Sequence, residues 1–210
     1  MADFEIERTY FEKGRAYIAG VDEVGRGALC GPVVAVSVIF PPAWIAGTRP
    51  GWLKRTKDSK LLTPLQRREL ARSILAEADS VGVGSCTNLE VDQKNIYWAS
   101  LEAMRRAVAA MSRVPDLVLV DGFALRDLPY PQEAIRQGDR KSATIAAASI
   151  VAKVLRDEIM VHCDRLAAGY GLGRNKGYGT KDHYRALDEL GPTPFHRKSF
   201  KLLPERMLFG

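Results

Sequence analysis

At 210 residues and 46% hydrophobic, the chain is long enough to bury one sizeable core, and no Pro/Ser/Gly-rich linker divides it. Its 31 Lys and Arg against 25 Asp and Glu leave a formal charge of +6, which favours a polyanionic partner without specifying one. Cys30, Cys86 and Cys163 are odd in number, widely spaced and form no Cys-x-x-Cys pair, which argues against a disulfide framework or a cysteine zinc site.

The start Met1-Ala-Asp-Phe-Glu-Ile-Glu-Arg8 is acidic and lacks the apolar core of a signal peptide. No apolar run approaches the about 20 residues that span a bilayer, so a cytoplasmic, soluble protein is expected. Residues 1–15 are expected as an N-terminal arm, and 16–210 as a single domain whose C-terminal part, from about 165, is a helical extension. Tyr17-Ile-Ala-Gly-Val21 is short, apolar and bounded by charge, and predicts a buried strand that delivers Asp22 to its end. Gly20-Val-Asp-Glu-Val-Gly-Arg-Gly27 then sets two adjacent carboxylates at the mouth of a glycine-rich turn. Adjacent strand residues point to opposite faces. Asp22 and Glu23 therefore share one metal only if the strand stops or bends at Glu23, which Gly25 and Gly27 permit.

Pro32-Val-Val-Ala-Val-Ser-Val-Ile-Phe40 is rich in β-branched residues and predicts a second strand paired with the first. Residues 41–60, marked by Pro41, Pro42 and Gly47, read as a loop. Thr63-Pro-Leu-Gln66 combines an N-cap, proline at the first helical position and glutamine three residues after the cap. It predicts a helix over 63–78 that buries Leu70, Ala71, Ile74, Leu75 and Ala78. Val81-Gly-Val-Gly-Ser-Cys86 predicts a third strand weakened by two glycines, and 92–111 a helix with Leu101, Met104, Val108 and Met111 in the core. Pro115-Asp-Leu-Val-Leu-Val-Asp121 is a continuous apolar run, as in a strand buried on both faces, and carries Asp121 to its carboxyl end, where open α/β sheets place ligands. A long helix is predicted over 142–168, its Ala146-Ala-Ala-Ser149 segment small enough for close approach to the sheet. Gly169, Gly171, Gly173, Gly177 and Gly179 form a flexible loop before a short helix over 182–190. Alternating strands and helices imply a mixed α/β sheet.

Four acids stand at structural transitions: Asp22 and Glu23 at one strand end, Asp121 at another, and Asp139 just before the long helix. A carboxylate set without His or Cys suits Mg²⁺, which prefers oxygen ligands, keeps several waters and takes its remaining ligands from phosphate. Two such ions roughly 3.5–4 Å apart can activate a water and stabilise a leaving oxygen. Asp139 has a second reading as a helix cap.

The glycine-turn octapeptide, Cys30-Gly-Pro-Val-Val-Ala-Val36, Asp58-Ser-Lys60, Leu119-Val-Asp-Gly122, the run from Gly138-Asp-Arg-Lys-Ser142 to Asp157, Lys176-Gly-Tyr-Gly-Thr180 with His183, and Pro194-Phe-His-Arg-Lys-Ser-Phe200 together resemble type 2 ribonuclease H, or ribonuclease HII, of the bacterial type. The blocks occur in family order over roughly residues 17–200. The resemblance implies a ribonuclease H-like α/β fold, with a mixed central sheet flanked by helices and a C-terminal helical extension. It implies a two-metal endonuclease using Mg²⁺ or Mn²⁺, with Asp22, Glu23, Asp121 and Asp139 as ligands. Such an enzyme hydrolyses the RNA strand of RNA–DNA hybrids and incises 5′ of single ribonucleotides in duplex DNA, leaving 3′-hydroxyl and 5′-phosphate ends, the chemistry of ribonucleotide excision repair.

The same resemblance places Gly25-Arg26-Gly27 against the ribonucleotide's 2′-hydroxyl, the group that separates RNA from DNA, and Tyr178 on the following deoxyribose. It places Ser59 and Lys60 near the scissile or a neighbouring phosphate. Lys141 and Ser142, with Lys153, Arg156 and Lys176, are further candidates for backbone contacts; Arg156 and Asp157 have an equal reading as structural partners on the helix face. His162, His183 and His196 lack metal-ligand spacing, and His183 is expected to orient the tyrosine loop. Ala28 stands where the family usually has proline, Cys30 where it has a small residue such as alanine, and Asn175 where histidine is frequent. Other readings are a non-catalytic hybrid-binding module, which retention of all four acids opposes, and another nuclease of the same fold, which would need other acid spacing. The apolar Met207-Leu-Phe209 either packs on its own domain or docks on a sliding clamp. A monomer is expected, since no feature demands a dimer.

Overall fold

Ile18–Val24 (β1) and Val33–Ile39 (β2) pair antiparallel across the glycine turn, as their apolar, β-branched patterns predict. The computed structural model describes residues 2–202, without the side chains of 57–61. Ser80–Cys86 (β3) adds antiparallel to β2, while Leu117–Asp121 (β4) and Gln132–Ile135 (β5) add parallel on the other side, giving the order β3-β2-β1-β4-β5. This is the expected mixed sheet. The strand β5 has no sequence signature: Gln132 and Glu133 are polar, and only Ile135 is buried.

The helices are α1 (Glu5–Phe11), α2 (Pro42–Ala46), α3 (Pro64–Glu77), α4 (Asn88–Lys94), α5 (Ile96–Ala109), α6 (Ala143–Leu166), α7 (Leu172–Asn175) and α8 (Lys181–Leu190). One face of the sheet packs on α6 and α3 through Val36, Leu119, Ile145 and Ile150; the other packs on α5 through Val21, Ala35, Val120 and Met104. A third cluster, including Leu29, Met160, Leu172 and Leu187, joins the far end of α6 to α7 and α8. Among the described residues no helix is long and apolar enough to cross a membrane.

Small residues set how closely the helices approach. A Cβ on Gly20 would lie 2.3 Å from the backbone nitrogen of Ile145, so α6 with its buried Ala146, Ala147 and Ala148 rests directly on β1. Gly82 and Gly84 serve α5 likewise, since Cβ atoms there would meet the carbonyls of Ala107 and Ala103 at 2.0 and 2.2 Å. These glycines are the seat of a helix as well as weak strand formers.

Several expectations need correction. The stretch 41–60 is not plain loop: it holds α2 and the 3₁₀ segment Gly51–Leu61, and Trp44 and Trp52 pack their rings on Phe40. Leu75, expected in the stripe of α3, is 49% exposed. The helix expected over 92–111 is two helices, α4 and α5, because Asn95 takes φ 64° and its Oδ1 accepts the Tyr97 and Trp98 N–H groups as the cap of α5. The glycine-rich loop 169–179 contains α7. The segment expected as an arm forms α1, with Phe4 and Glu7 buried. Its Glu7 Oε1 accepts hydrogen bonds from Ser142 Oγ at 2.7 Å and from Thr144 N and Oγ1, each at 2.9 Å, at the start of α6.

Candidate active site

The carboxylates gather where β4 stops beside β1. The two strands pair in parallel up to Val21 and Val120, so Asp22 and Asp121 come next on adjoining strands. The strand does not stop or bend at Glu23, the condition for Asp22 and Glu23 to share one metal: β1 stays paired with β2 through Glu23–Ala35 and Val24–Val34, and the turn comes at Gly25, with φ 99°. Strand alternation therefore turns Asp22 toward α6 and Glu23 toward the α5 face. Both still feel the charge of Asp121.

Burial raises the Asp22 carboxyl well above the usual carboxylate range, and the Glu23 and Asp121 charges raise it further, against the hydroxyl of Ser149 and the Glu23 N–H, which donates to Asp22 Oδ1 at 2.7 Å. Burial also raises Glu23; Arg26, whose Nη1 donates to Glu23 Oε1 at 3.2 Å, opposes this, and Asp121 adds to it. Glu23 Oε2 is buried without a hydrogen-bond partner. Desolvated carboxylates that repel one another, one with an orphaned oxygen, are the donor set a hard divalent cation satisfies. Among the described residues no three acids, histidines or cysteines are drawn tightly enough to hold an ion by side chains alone.

Asp139 lies half-buried in the 3₁₀ turn Gly138–Arg140. The turn is tied to the strand end, because the Gly138 N–H donates to Asp121 Oδ1 at 2.6 Å and a Cβ on Gly138 would press on Ile145. The cap of α6 is Ser142, whose Oγ accepts the Ile145 N–H at 3.2 Å, so helix capping does not account for Asp139. Ser142 is a correction: expected against a nucleic-acid backbone, its hydroxyl is fully buried between Glu7 and Thr144. Lys141 is exposed beside it. The side chains of Ser59 and Lys60 lie outside the described residues, as does Met207-Leu-Phe209.

The Gly25-Arg26-Gly27 turn and the Tyr178 loop, far apart in sequence, adjoin. Ala28 bridges Tyr178, and the Leu29 N–H donates to the Gly177 carbonyl at 2.8 Å. Fully buried Arg156 clamps this junction, with Nε donating to Pro32 O at 2.9 Å, Nη1 to Lys176 O at 2.9 Å and Nη2 to Cys30 O at 3.1 Å. Its guanidinium also lies 5.4 Å from the Tyr178 ring centre. Of the two readings of Arg156, the structural one holds. Asp157 pairs with Lys153 at 2.6 Å. Arg197, missed in the sequence although it sits in a quoted block, holds the other side of the turn through the Arg26 and Gly31 carbonyls. No periodicity marks such an arginine; only its place between two apolar loops does.

Of the departures from the family pattern, Ala28 has an N–H that proline lacks, and donates it to Gly25 O at 3.3 Å. Burial pushes the Cys30 thiol up to about 12, which keeps it protonated and unreactive. Asn175 braces the tyrosine loop by donating to Tyr170 O at 2.7 Å and accepting the Gly177 N–H at 2.8 Å.

The two glycines differ. Gly25 is demanded by the chain itself, since its φ is positive and a Cβ would strike Arg156 Nε at 2.2 Å. A Cβ on Gly27 would meet nothing within 4 Å, and its φ lies outside the left-handed region. Neither packing nor backbone conformation requires glycine at 27.

His183 orients the tyrosine loop as expected: its Nδ1 lies 3.0 Å from the Tyr178 carbonyl and its Nε2 3.0 Å from Nε2 of His196. Burial, then the neighbouring His183, pushes His196 down to about 4, and burial lowers His183. The unfolded chain therefore binds protons that the folded pair refuses, so the pair's contribution to stability is full above about pH 6.5 and is lost as pH falls toward 4. The raised carboxyls of Asp22, Glu23 and Glu7 act in the opposite sense. We expect urea titrations to show the wild type losing about 2 kcal/mol relative to His196→Asn over that window; parallel profiles for the two proteins would take the pair out of the pH dependence.

Comparison with known proteins comes out on one side. The sequence profile of the family described as Ribonuclease HII matches residues 19–203. The chain is 50% identical over 196 residues to a ribonuclease HII of Moorella thermoacetica, covering 93% of this chain and 91% of that protein. It is 44% identical over 206 residues to one of Geobacter sulfurreducens, covering 98% and 92%. Among solved structures, ribonuclease H2 from Pyrococcus horikoshii superposes with a TM-score of 0.74 at 24% identity, covering 92% of this chain and all of that one. The Archaeoglobus fulgidus RNase HII, solved in a complex with PCNA, gives 0.73 at 23% identity, covering 89% and 95%. A Bst-RNase HIII in complex with Mn²⁺ gives 0.66 at 18% identity, covering 92% and 70%. These structures share the ribonuclease H-like α/β fold.

Proposed function

The chain belongs to the ribonuclease HII family, and from that premise we propose that Asp22, Glu23, Asp121 and Asp139 carry its phosphodiester hydrolysis. It is an endoribonuclease acting on RNA-containing nucleic acid; cleavage of RNA–DNA hybrids, incision 5′ of single ribonucleotides and dependence on divalent metal follow from the family. The observation that carries the residue assignment is the convergence of buried Asp22 with half-buried Glu23 and Asp121, whose charges oppose one another, with Glu23 Oε2 unpaired. The cofactor we propose is a pair of Mg²⁺ or Mn²⁺ ions for which the four carboxylates are the ligands, Asp22 and Glu23, which face opposite ways, serving different ions; such a pair would polarise the scissile phosphate and lower the pKa of the attacking water.

The remaining residues bind and orient. Backbone groups of Gly25-Arg26-Gly27 take the ribose 2′-hydroxyl, the open side of Gly27 letting the sugar approach. Arg197 and Arg156 hold that turn rigid from behind. Tyr178, set by His183 and backed by Lys153 and Arg156, stacks on the neighbouring deoxyribose. Lys141, and Lys60 with Ser59, contact phosphates and make affinity fall with salt. A sliding clamp is a proposed partner, docking on Met207-Leu-Phe209; the PCNA complex of the Archaeoglobus protein supports it.

The test is incision of an end-labelled DNA duplex containing one ribonucleotide, with Mg²⁺ or Mn²⁺ and with chelator, by the wild type and Gly27→Ala. We expect a cut 5′ of the ribonucleotide that chelator abolishes. Gly27→Ala should keep its melting temperature and cut about 10²-fold more slowly, the cost of displacing the sugar by an ångström or so. Cutting in chelator or cutting of an all-DNA duplex would overturn the metal-dependent ribonucleotide incision, and an undiminished Gly27→Ala would remove Gly27 from the sugar contact.

A further inference from the structure

Among the described residues two acids are buried, Asp22 and Glu7, and only Asp22 belongs to the cleavage centre. Glu7 is fully buried on α1, its Oε2 has no hydrogen-bond partner, and burial raises its carboxyl. An acid in such a place weakens the fold unless its remaining oxygen is well used. Glu7 Oε1 accepts three hydrogen bonds, from Ser142 Oγ, Thr144 N and Thr144 Oγ1. Two of those donors are hydroxyls with a single proton each. With its proton given to Glu7, Ser142 Oγ keeps only lone pairs for the Ile145 N–H, which is the capping bond of α6. Glu7 thereby fixes which way the cap faces.

Main-chain contacts join the same two segments. The Ala143 N–H donates to the Asp3 carbonyl at 2.8 Å, the Asp3 N–H donates to the Lys141 carbonyl at 3.4 Å, and Asp3 forms a parallel bridge with Ser142. Directly before these residues lies the 3₁₀ turn that carries Asp139. The turn is closed by the strapped residues themselves, since the Lys141 and Ser142 N–H groups both donate to the Gly138 carbonyl at 2.9 Å. It is entered through Gln137 at φ 57°, a left-handed conformation that a glutamine holds only when its surroundings impose it. The front of the turn is fixed by the Gly138 N–H on Asp121 Oδ1. The rear is fixed by Ser142, and so by Glu7. Thr144 Oγ1 carries the strap to the sheet as well, because a Cβ on Gly20, two residues before Asp22, would lie 2.5 Å from it.

We propose that Glu7 is a positioning residue for cleavage, acting through Ser142 to fix the turn that carries Asp139 relative to Asp121. The segment from Asp3 to Glu7 is then a strap that sets the fourth carboxylate. A displacement of that carboxylate by an ångström or so slows the chemical step while leaving the surface that binds the duplex as it was. The inference rests on the reading of Asp139 as one of the metal ligands.

The test compares Glu7→Ala, Glu7→Gln, Ser142→Ala and the Glu7→Ala/Ser142→Ala double variant of the full chain, well below their melting temperatures. On a duplex with one ribonucleotide, Glu7→Ala should lower kcat about 10- to 100-fold and leave KM nearly unchanged. It should also need more Mg²⁺ for half-maximal rate. Glu7→Gln keeps an acceptor oxygen for the same three donors and should recover most of the rate. Ser142→Ala should lose a similar factor to Glu7→Ala, and the double variant no more than either, because the two residues act in one chain. In chelator, the Lys141 and Ser142 amides should exchange hydrogen faster in Glu7→Ala while those of β1 keep their protection. A Glu7→Ala that melts lower but keeps kcat and its Mg²⁺ requirement would overturn the proposal, as would unchanged exchange at Lys141 and Ser142 or losses that multiply in the double variant. If Glu7→Ala does not fold, Ser142→Ala decides alone, and wild-type kcat in it would overturn the proposal. Asp139→Asn is the separate control: undiminished cutting by it would strike the reading of Asp139 as a ligand, while the exchange comparison would still decide whether Glu7 holds the turn.

Discussion

Asp22→Asn is expected to make the metal-free protein more stable and nearly inactive. The aspartate is 6% exposed, and its charge is opposed by burial and by both Glu23 and Asp121. The amide keeps the acceptor that receives the Glu23 N–H while removing that charge. Each kcal/mol of relieved repulsion should raise Tm by about 2–4 °C in a chain of this size. Cleavage should fall by about 10³-fold or more, since the several kcal/mol of transition-state stabilisation that bound cations supply depends on the ligand set. A second readout ties the two effects together: Mg²⁺ should raise the Tm of the wild type and have much less effect on the variant. A lower Tm for Asp22→Asn in chelator would show that the carboxylate serves the fold, and retained cleavage would remove it from the ligand set.

The second large effect is structural. Arg156→Met removes the donors of three carbonyls, those of Cys30, Pro32 and Lys176, in a place water does not reach. An orphaned buried acceptor costs about 1–3 kcal/mol, so the loss should be about 3–6 kcal/mol and the drop in Tm roughly 10–20 °C. Arg156→Lys should recover little of it, because one ammonium cannot span three carbonyls as a planar guanidinium does. Since Arg156 also fills the space beside Gly25 and lies against Tyr178, incision at single ribonucleotides should suffer more than non-specific binding of the duplex. Thermal melts with paired incision and binding assays would show this, and a variant that melts like the wild type would deny Arg156 its clamping role.

Much of the molecule is legible in one dimension because its determinants are local. The apolar run into Asp22, the β-branched second strand and the buried run into Asp121 declare three strands by composition. Thr63 and Gln66 declare the start of α3 by a capping box that the structure contains. The acids are legible as strand-end residues, and the motif blocks carry the family resemblance. Where reading failed, the deciding force was tertiary. Asn95 broke a helix that apolar spacing ran straight through, β5 formed from polar residues paired along β4, and Leu75 lay half-exposed although it falls on the apolar stripe of α3.

What the sequence by itself determined is the chemistry on offer: which residue types are present, the strands that end in acids, and a glycine turn able to bend the chain. Only the tertiary structure decided which of these groups meet. It put Asp22 beside Asp121, joined the Gly25–Gly27 turn to the Tyr178 loop through Arg156, enlisted Arg197 behind the turn, took Ser142 out of the substrate surface and into a buried cap, and brought Tyr97 to Phe123. The physical reason is that capping, alternation and turn formation act over a few residues. Charge repulsion, carbonyl clamping and ring contact depend on distances that exist only once the sheet has set its strand order and register.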